Sequence, residues 1–70
     1  MNEVTELAKE ACGLIAVHMG KQTAQLYQDF YKDKDVRTIL LSIEELLSEV
    51  IGNQRAKSEL TPLISKYNLQ

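Results

Sequence analysis

The sequence has almost none of the residues that cross-link a small fold. Its 70 residues include one cysteine, Cys12, and one histidine, His18. A single thiol cannot form an internal disulfide, and this pair is too small a set for structural zinc. Because a core of this size contributes only about 3–5 kcal/mol, we expect helix packing or self-association to supply the stability, with no metal and no cofactor.

The sequence also lacks an excess of positive charge and any long apolar run. Eight Lys and Arg stand against ten Asp and Glu, for a net charge of -2, which makes nucleic acid an unlikely partner. No stretch approaches the roughly 18 apolar residues of a membrane span, and the start, Met1 to Val4, does not look like a secretory signal. We therefore expect a cytoplasmic protein that does not bind membranes.

What the sequence does contain is apolar residues at helical spacing. Two long amphipathic helices are predicted, over Asn2–Met19 and Asp35–Ile51, with Asp33 or Asp35 as the cap of the second. Gly20 and Gly52 follow them and are expected to end them in the left-handed conformation. In the helix over Asp35–Ile51, Leu41 is the one large apolar residue that falls on the polar face.

Two shorter helices are predicted to follow the glycines. The first covers Lys21–Lys32, and its apolar residues are expected on one side of the helix: Ala24, Leu26, Tyr27, Phe30 and Tyr31. The second covers Asn53–Leu69 and contains Pro62, which clashes with the preceding turn inside a helix. We expect a break or a kink near Thr61, most simply with Thr61 as a cap and Pro62 in the first helical turn.

A shift of 32 residues aligns the two halves of the chain. Gly20 then matches Gly52, Ala24 matches Ala56, and the apolar positions fall in register. The pattern indicates an internal duplication of a helical hairpin, although any two amphipathic helices ended by glycine would look alike. Either interpretation predicts one all-α domain over residues 1–70, a compact four-helix bundle-like fold of two hairpins, 2–32 and 35–69.

The residues that could carry catalysis do not form a reactive set. Cys12 and His18 are six residues apart, which turns them about 120° from each other on one helix, so they cannot act as a nucleophile and its base. The acidic helix faces lack the histidine that completes a carboxylate metal site in a helical bundle. We therefore expect a protein that is not an enzyme.

The aromatic residues are the best candidates for a binding surface. Tyrosine suits a position that is buried at one end and wet at the other, which is why it is common at interfaces. The predicted partner-binding residues are Leu26, Tyr27, Phe30, Tyr31 and Tyr67. The alternative is that these rings complete a small core.

The sequence therefore favours a small protein-interaction or regulatory domain that binds a partner protein through a helix face or forms a homodimer. A toxin-neutralising, immunity-type inhibitor is one specific version of this class. The alternative is a helix-turn-helix-like DNA-binding regulator. Its candidate contacts are Asn53, Gln54, Arg55 and Lys57.

Overall fold

The computed structural model describes residues 3–67, and all regular structure in this range is helical. The helices are α1 (Glu3–Met19), α2 (Lys21–Tyr31), α3 (Val36–Ile51) and α4 (Asn53–Tyr67). The expected all-α fold of two hairpins is confirmed, since α1 packs on α2 and α3 packs on α4. The predicted helical positions Asn2, Asn68 and Leu69 lie outside the described residues.

The core forms around α1, which contacts each of the other three helices. Its fully buried residues Leu7, Ala11 and Ile15 are four apart, so they lie on one stripe of the helix. The fully buried residues of α3 have the same spacing: Ile39, Ile43 and Leu47. Two amphipathic stripes therefore close on each other, and the shorter helices cover their edges.

A single glycine joins the helices of each hairpin. Gly20 has φ 99° and ψ 162°, and Gly52 has φ 90° and ψ 157°. Both φ values are positive, as expected. The predicted left-handed helical conformation is wrong, because that conformation has ψ near +47°, whereas both glycines have ψ near 160°. The Gly20 N–H donates to the Ala16 carbonyl at 3.0 Å, and the Gly20 carbonyl accepts from the Ala24 N–H at 3.1 Å. One residue thus ends a helix and begins the next.

The second glycine link repeats the first. The Gly52 N–H donates four residues back, and the Gly52 carbonyl accepts from Ala56, each at 2.9 Å. Core positions 32 residues apart are also buried alike, as in the pairs Leu7 with Ile39 and Ile15 with Leu47. The repeat is therefore one of structure as well as of sequence pattern, and duplication of an ancestral hairpin stays an interpretation.

The helix α4 runs through Pro62 without a break, so the predicted split near Thr61 was wrong. Thr61 does not act as a cap, because its hydroxyl donates to the Lys57 carbonyl of the preceding turn at 2.7 Å. Pro62 and Ser58 are both exposed, so solvent can reach the Ser58 carbonyl that proline leaves without a helical donor. Leu60 and Leu63 are buried on either side of this point and hold both parts of the helix on the core.

Of the two candidate caps for α3, Asp35 is the one used. Its side chain accepts a hydrogen bond from the Thr38 backbone N–H at 3.1 Å. Hydrogen bonding from Thr38, first from its side chain and then from its backbone, holds the pKa of the Asp35 carboxyl below its usual value. The cap fixes the point at which the second hairpin begins after the polar turn.

Polar bridges fasten α4 to α1. Glu10 Oε2 accepts hydrogen bonds from Lys66 Nζ and from the Tyr67 hydroxyl, both at 2.8 Å. These two hydrogen bonds, that from Lys66 first, lower the pKa of Glu10 below its usual value. Further along, His18 Nε2 lies 2.8 Å from Glu59 Oε1. Because later residues of α1 meet earlier residues of α4, the two helices run antiparallel here.

The glycine links give the first prediction. We expect Gly20→Ala and Gly52→Ala each to lower the free energy of unfolding by about 1–3 kcal/mol, because this backbone conformation is strained for any residue with a Cβ. Gly13 is the control: it is helical, and a Cβ there would meet no atom within 4 Å. Gly13→Ala should raise stability by up to about 1 kcal/mol. Urea unfolding, followed by circular dichroism, measures the free energy of unfolding of the three variants. Equal effects of the three substitutions would contradict a special backbone role of Gly20 and Gly52.

The Glu10 bridge gives the second prediction. Because the pKa of Glu10 is lowered in the folded chain, the carboxylate stabilises the fold above its unfolded pKa, and this contribution is lost as pH falls through the folded pKa. Stability of the wild type should therefore decline from about pH 5 downwards, and Glu10→Gln should show a smaller decline. Urea unfolding at a series of pH values tests this. Parallel pH profiles for the two proteins would contradict it.

Candidate protein-binding surface between α2 and α3

The helix α2 has two different apolar sides. Ala24 and Tyr31 are buried in the core, whereas Leu26 is 70% exposed and Phe30 is 48% exposed. The expectation that all the apolar residues of α2 share one side was therefore wrong. At about 100° per residue, Leu26 and Phe30 lie roughly 200–240° around the helix from Ala24.

An open groove lies between α2 and α3, which do not pack extensively on each other. Leu26, Tyr27 and Phe30 line it from α2, and Ser42 lines it from α3. A neighbouring depression is formed mainly by α3 and also by Asn53 of α4, one of the candidate DNA contacts. It shares Ser42 and is lined otherwise by Thr38, Leu41, Glu44, Glu45 and Ser48. Because both depressions are lined by Ser42, we call them together the α2–α3 surface.

A hydrogen bond between the buried Tyr31 and the half-buried Ser42 lies at this surface. The Tyr31 hydroxyl lies 2.9 Å from Ser42 Oγ, and one of the two donates to the other. Tyr31 is fully buried, and burial raises the pKa of its phenol, so the hydroxyl stays protonated at neutral pH. This hydrogen bond ties the last turn of α2 to the middle of α3.

The aromatic rings of α2 support one another. Tyr27 meets Phe30 edge to face with ring centroids 6.2 Å apart, and both rings lie 5.6 Å from the ring of Tyr31. The Lys34 ammonium lies 4.8 Å from the centroid of the Phe30 ring. Such contacts contribute about 0.5–1.5 kcal/mol each beyond area burial, so the exposed rings are held in place before any partner arrives.

The structure brings three of the five predicted partner-binding residues to the groove, namely Leu26, Tyr27 and Phe30. Tyr31 lies behind them in the core, and Tyr67 is buried on α4 with its hydroxyl on Glu10. These two tyrosines follow the alternative interpretation, in which the rings complete the core.

The residue that sequence analysis missed is Leu41, which is 60% exposed and lies on the same surface. The available signal was an apolar residue on a polar helix face. That signal identified Leu41 as exposed. It did not place Leu41 on the same surface as Leu26 and Phe30, because these residues belong to different hairpins.

The 32-residue repeat allows each exposed apolar position to be compared with its equivalent in the other hairpin. Thirty-two residues from the exposed apolar positions stand different residues: Ser58 for Leu26, Pro62 for Phe30 and Lys9 for Leu41. All three replacements are exposed as well. The same hairpin architecture therefore occurs with exposed non-hydrophobic residues at these positions, and we expect that folding does not require the leucines and the phenylalanine.

The candidate DNA-binding residues form one exposed group in the first turns of α4. Asn53, Gln54, Arg55 and Lys57 are all exposed. Arg55 Nη2 lies 3.9 Å from Glu59 Oε2, so part of its charge is balanced by a carboxylate. The group is accessible, and DNA binding stays an alternative prediction.

Cys12 and His18, the two residues considered for catalysis, both contact other residues of the fold. Cys12 is buried in the core, where desolvation raises the pKa of its thiol, and a thiol with a raised pKa is a poor nucleophile at neutral pH. His18 uses its Nε2 in the contact with Glu59. Over residues 3–67, no group of three or more His, Cys, Asp or Glu side chains is placed to hold a metal ion.

Within the same range, none of the helices has both the length and the apolar character needed to cross a bilayer. Comparisons of the chain with protein-family models, curated proteins and solved structures find no match. Proposals on function therefore rest on the surface of the chain itself.

The hydroxyl pair gives the third prediction. Tyr31→Phe should lower the free energy of unfolding by about 0.5–1.5 kcal/mol, because it removes one hydrogen bond. Ser42→Ala should cost more, about 1–3 kcal/mol, since it leaves the buried Tyr31 hydroxyl without a partner. The double variant should be more stable than the sum of the single effects implies. Urea unfolding of the four proteins tests this, and strict additivity would rule out the pairing.

Proposed function

We propose that this chain is a non-enzymatic protein-interaction domain whose α2–α3 surface receives a partner protein. One observation carries the proposal: Leu26, Phe30 and Leu41 are exposed on the α2–α3 surface, at positions where the other hairpin has serine, proline and lysine. Adjacent exposed apolar side chains that a fold does not need are typical of interaction sites.

The energetics support binding of moderate strength. Covering a large apolar side chain contributes about 1.5–3 kcal/mol, and Leu26, Phe30 and Leu41 are exposed on the α2–α3 surface. The mutual contacts of Tyr27, Phe30 and Tyr31 limit the side-chain entropy that binding would remove. A regulatory role follows naturally from such a surface, and an inhibitor of immunity type is one form of it.

Experiment distinguishes binding of a partner protein from two alternatives, namely self-association and DNA binding. Self-association would cover the same surface with a second copy and would give a dimer in sedimentation. DNA binding through the start of α4 has weaker support, because Arg55 lies beside Glu59 and the chain carries a net charge of -2. A cytoplasmic location remains part of the proposal, on the ground of a single unpaired thiol.

The fourth prediction uses residues taken from the other hairpin. The double variant Leu26→Ser, Leu41→Lys should lose binding of a specific partner by tenfold or more, while its free energy of unfolding stays within about 0.5 kcal/mol of wild type. Val17→Glu is the matched control, because Val17 is 77% exposed, lies outside the surface and corresponds to Glu49 in the other hairpin.

The measurement is affinity capture from a lysate of the source organism, followed by titration of each purified candidate protein. Wild type and Val17→Glu should retain the same partner, and the double variant should not. Equal retention by all three proteins would contradict the proposal. Retarded migration of a DNA duplex that requires Arg55 and Lys57 and weakens steeply with salt would favour the alternative.

A further inference from the structure

We infer that the occupant of the α2–α3 surface is an amphipathic helix with basic side chains. This inference rests on the proposed function and specifies the chemistry of the partner. It joins two properties of the same surface, namely its shape as an open groove between helices and the sign of the charge along α3.

The shape of the surface suits a helix. The 11 residues of α2 and the 16 residues of α3 correspond to lengths of about 16 and 24 Å. Leu26 and Phe30 are four residues apart and face the groove from one side, while Leu41 is exposed on the α3 side. A helix that presents apolar residues at three- and four-residue steps can contact both sides of such a groove.

The part of the α2–α3 surface that lies on α3 carries negative charge. Glu44 and Glu45 line this part, and neither makes an ion pair with any other residue from 3 to 67. The nearest basic residues on either side in sequence, Arg37 and Arg55, lie in the first turns of α3 and α4, and neither forms an ion pair with Glu44 or Glu45. The carboxylates in the middle of α3 are therefore free to pair with lysine or arginine of a partner.

The same charges disfavour a second copy of this chain as the occupant. A two-fold dimer joins the same patch on both protomers. It would bring the Glu44 and Glu45 side chains of both copies into one interface between chains that each carry a net charge of -2. Juxtaposed like charges weaken association, whereas a basic helix relieves the repulsion that already exists between neighbouring carboxylates.

The test uses a fluorescently labelled helix of about 18 residues, long enough to span α3, made of leucine on one face and lysine on the other. A matched helix carries glutamate in place of lysine. Fluorescence anisotropy should show saturable binding of the leucine–lysine helix to the wild-type chain, weaker binding as salt rises, and little binding of the leucine–glutamate helix.

Variants of this chain test whether the lysine helix binds at the α2–α3 surface. Glu44→Gln with Glu45→Gln should weaken binding of the lysine helix about three- to tenfold. The control Glu3→Gln with Glu6→Gln removes the same charge from the exposed start of α1 and should change binding by less than twofold. The variant Leu26→Ser, Leu41→Lys should weaken binding by tenfold or more, and Val17→Glu should not reduce it by more than twofold.

The outcomes separate this inference from the proposed function. Equal binding of the two helices, or equal effects of the two glutamine pairs, would overturn the inference. A wild-type dimer that Leu26→Ser, Leu41→Lys dissociates would overturn it in favour of a second copy. Failure of the lysine helix together with Leu26- and Leu41-dependent capture of a natural partner would overturn only the inference. If that double variant changed neither helix binding nor capture, both proposals would fall.

Discussion

The fold depends on two glycine residues that each join a pair of helices without any further loop. At φ near +90° to +100° and ψ near 160°, Gly20 and Gly52 turn the chain within one residue while keeping the helical hydrogen bonds on both sides. Each long helix must therefore pack against the short helix that follows it. The groove is a consequence: α2 is committed to α1, and α3 packs on α1 and α4, so no extensive contact closes the gap between α2 and α3.

Most of the architecture could be predicted from local patterns, because helical periodicity and glycine punctuation are local. The path of α4 through Pro62 could not, since it depends on tertiary contacts that bury Leu60 and Leu63 while Pro62 and Ser58 face solvent. The exposure of Leu26 and Phe30 was available from the sequence, because the helical angle between them and Ala24 is fixed. The prediction missed this exposure because it grouped the apolar residues of α2 by their closeness along the chain.

The candidate surface was predictable only in part for a related reason. Tyr27 and Phe30 belong to one hairpin and Leu41 to the other, and nothing within either hairpin specifies how the two meet. The repeat offers a reference that a single hairpin cannot, because each exposed residue can be compared with its equivalent in the same fold. By that comparison the apolar character of Leu26, Phe30 and Leu41 is a property of this surface and not of the architecture.

The two short helices are also held differently. Hydrogen bonds and ion pairs from Glu10 and Glu59 fasten α4 to α1, whereas α2 is held by its buried residues and by the hydroxyl contact of Tyr31 with Ser42. The helix α2 also carries the exposed Leu26 and Phe30. The two hairpins thus share one backbone design but differ at equivalent surface positions. Polar bridges join α4 to α1, whereas α2 and α3 carry exposed apolar side chains where the other hairpin has serine, proline or lysine.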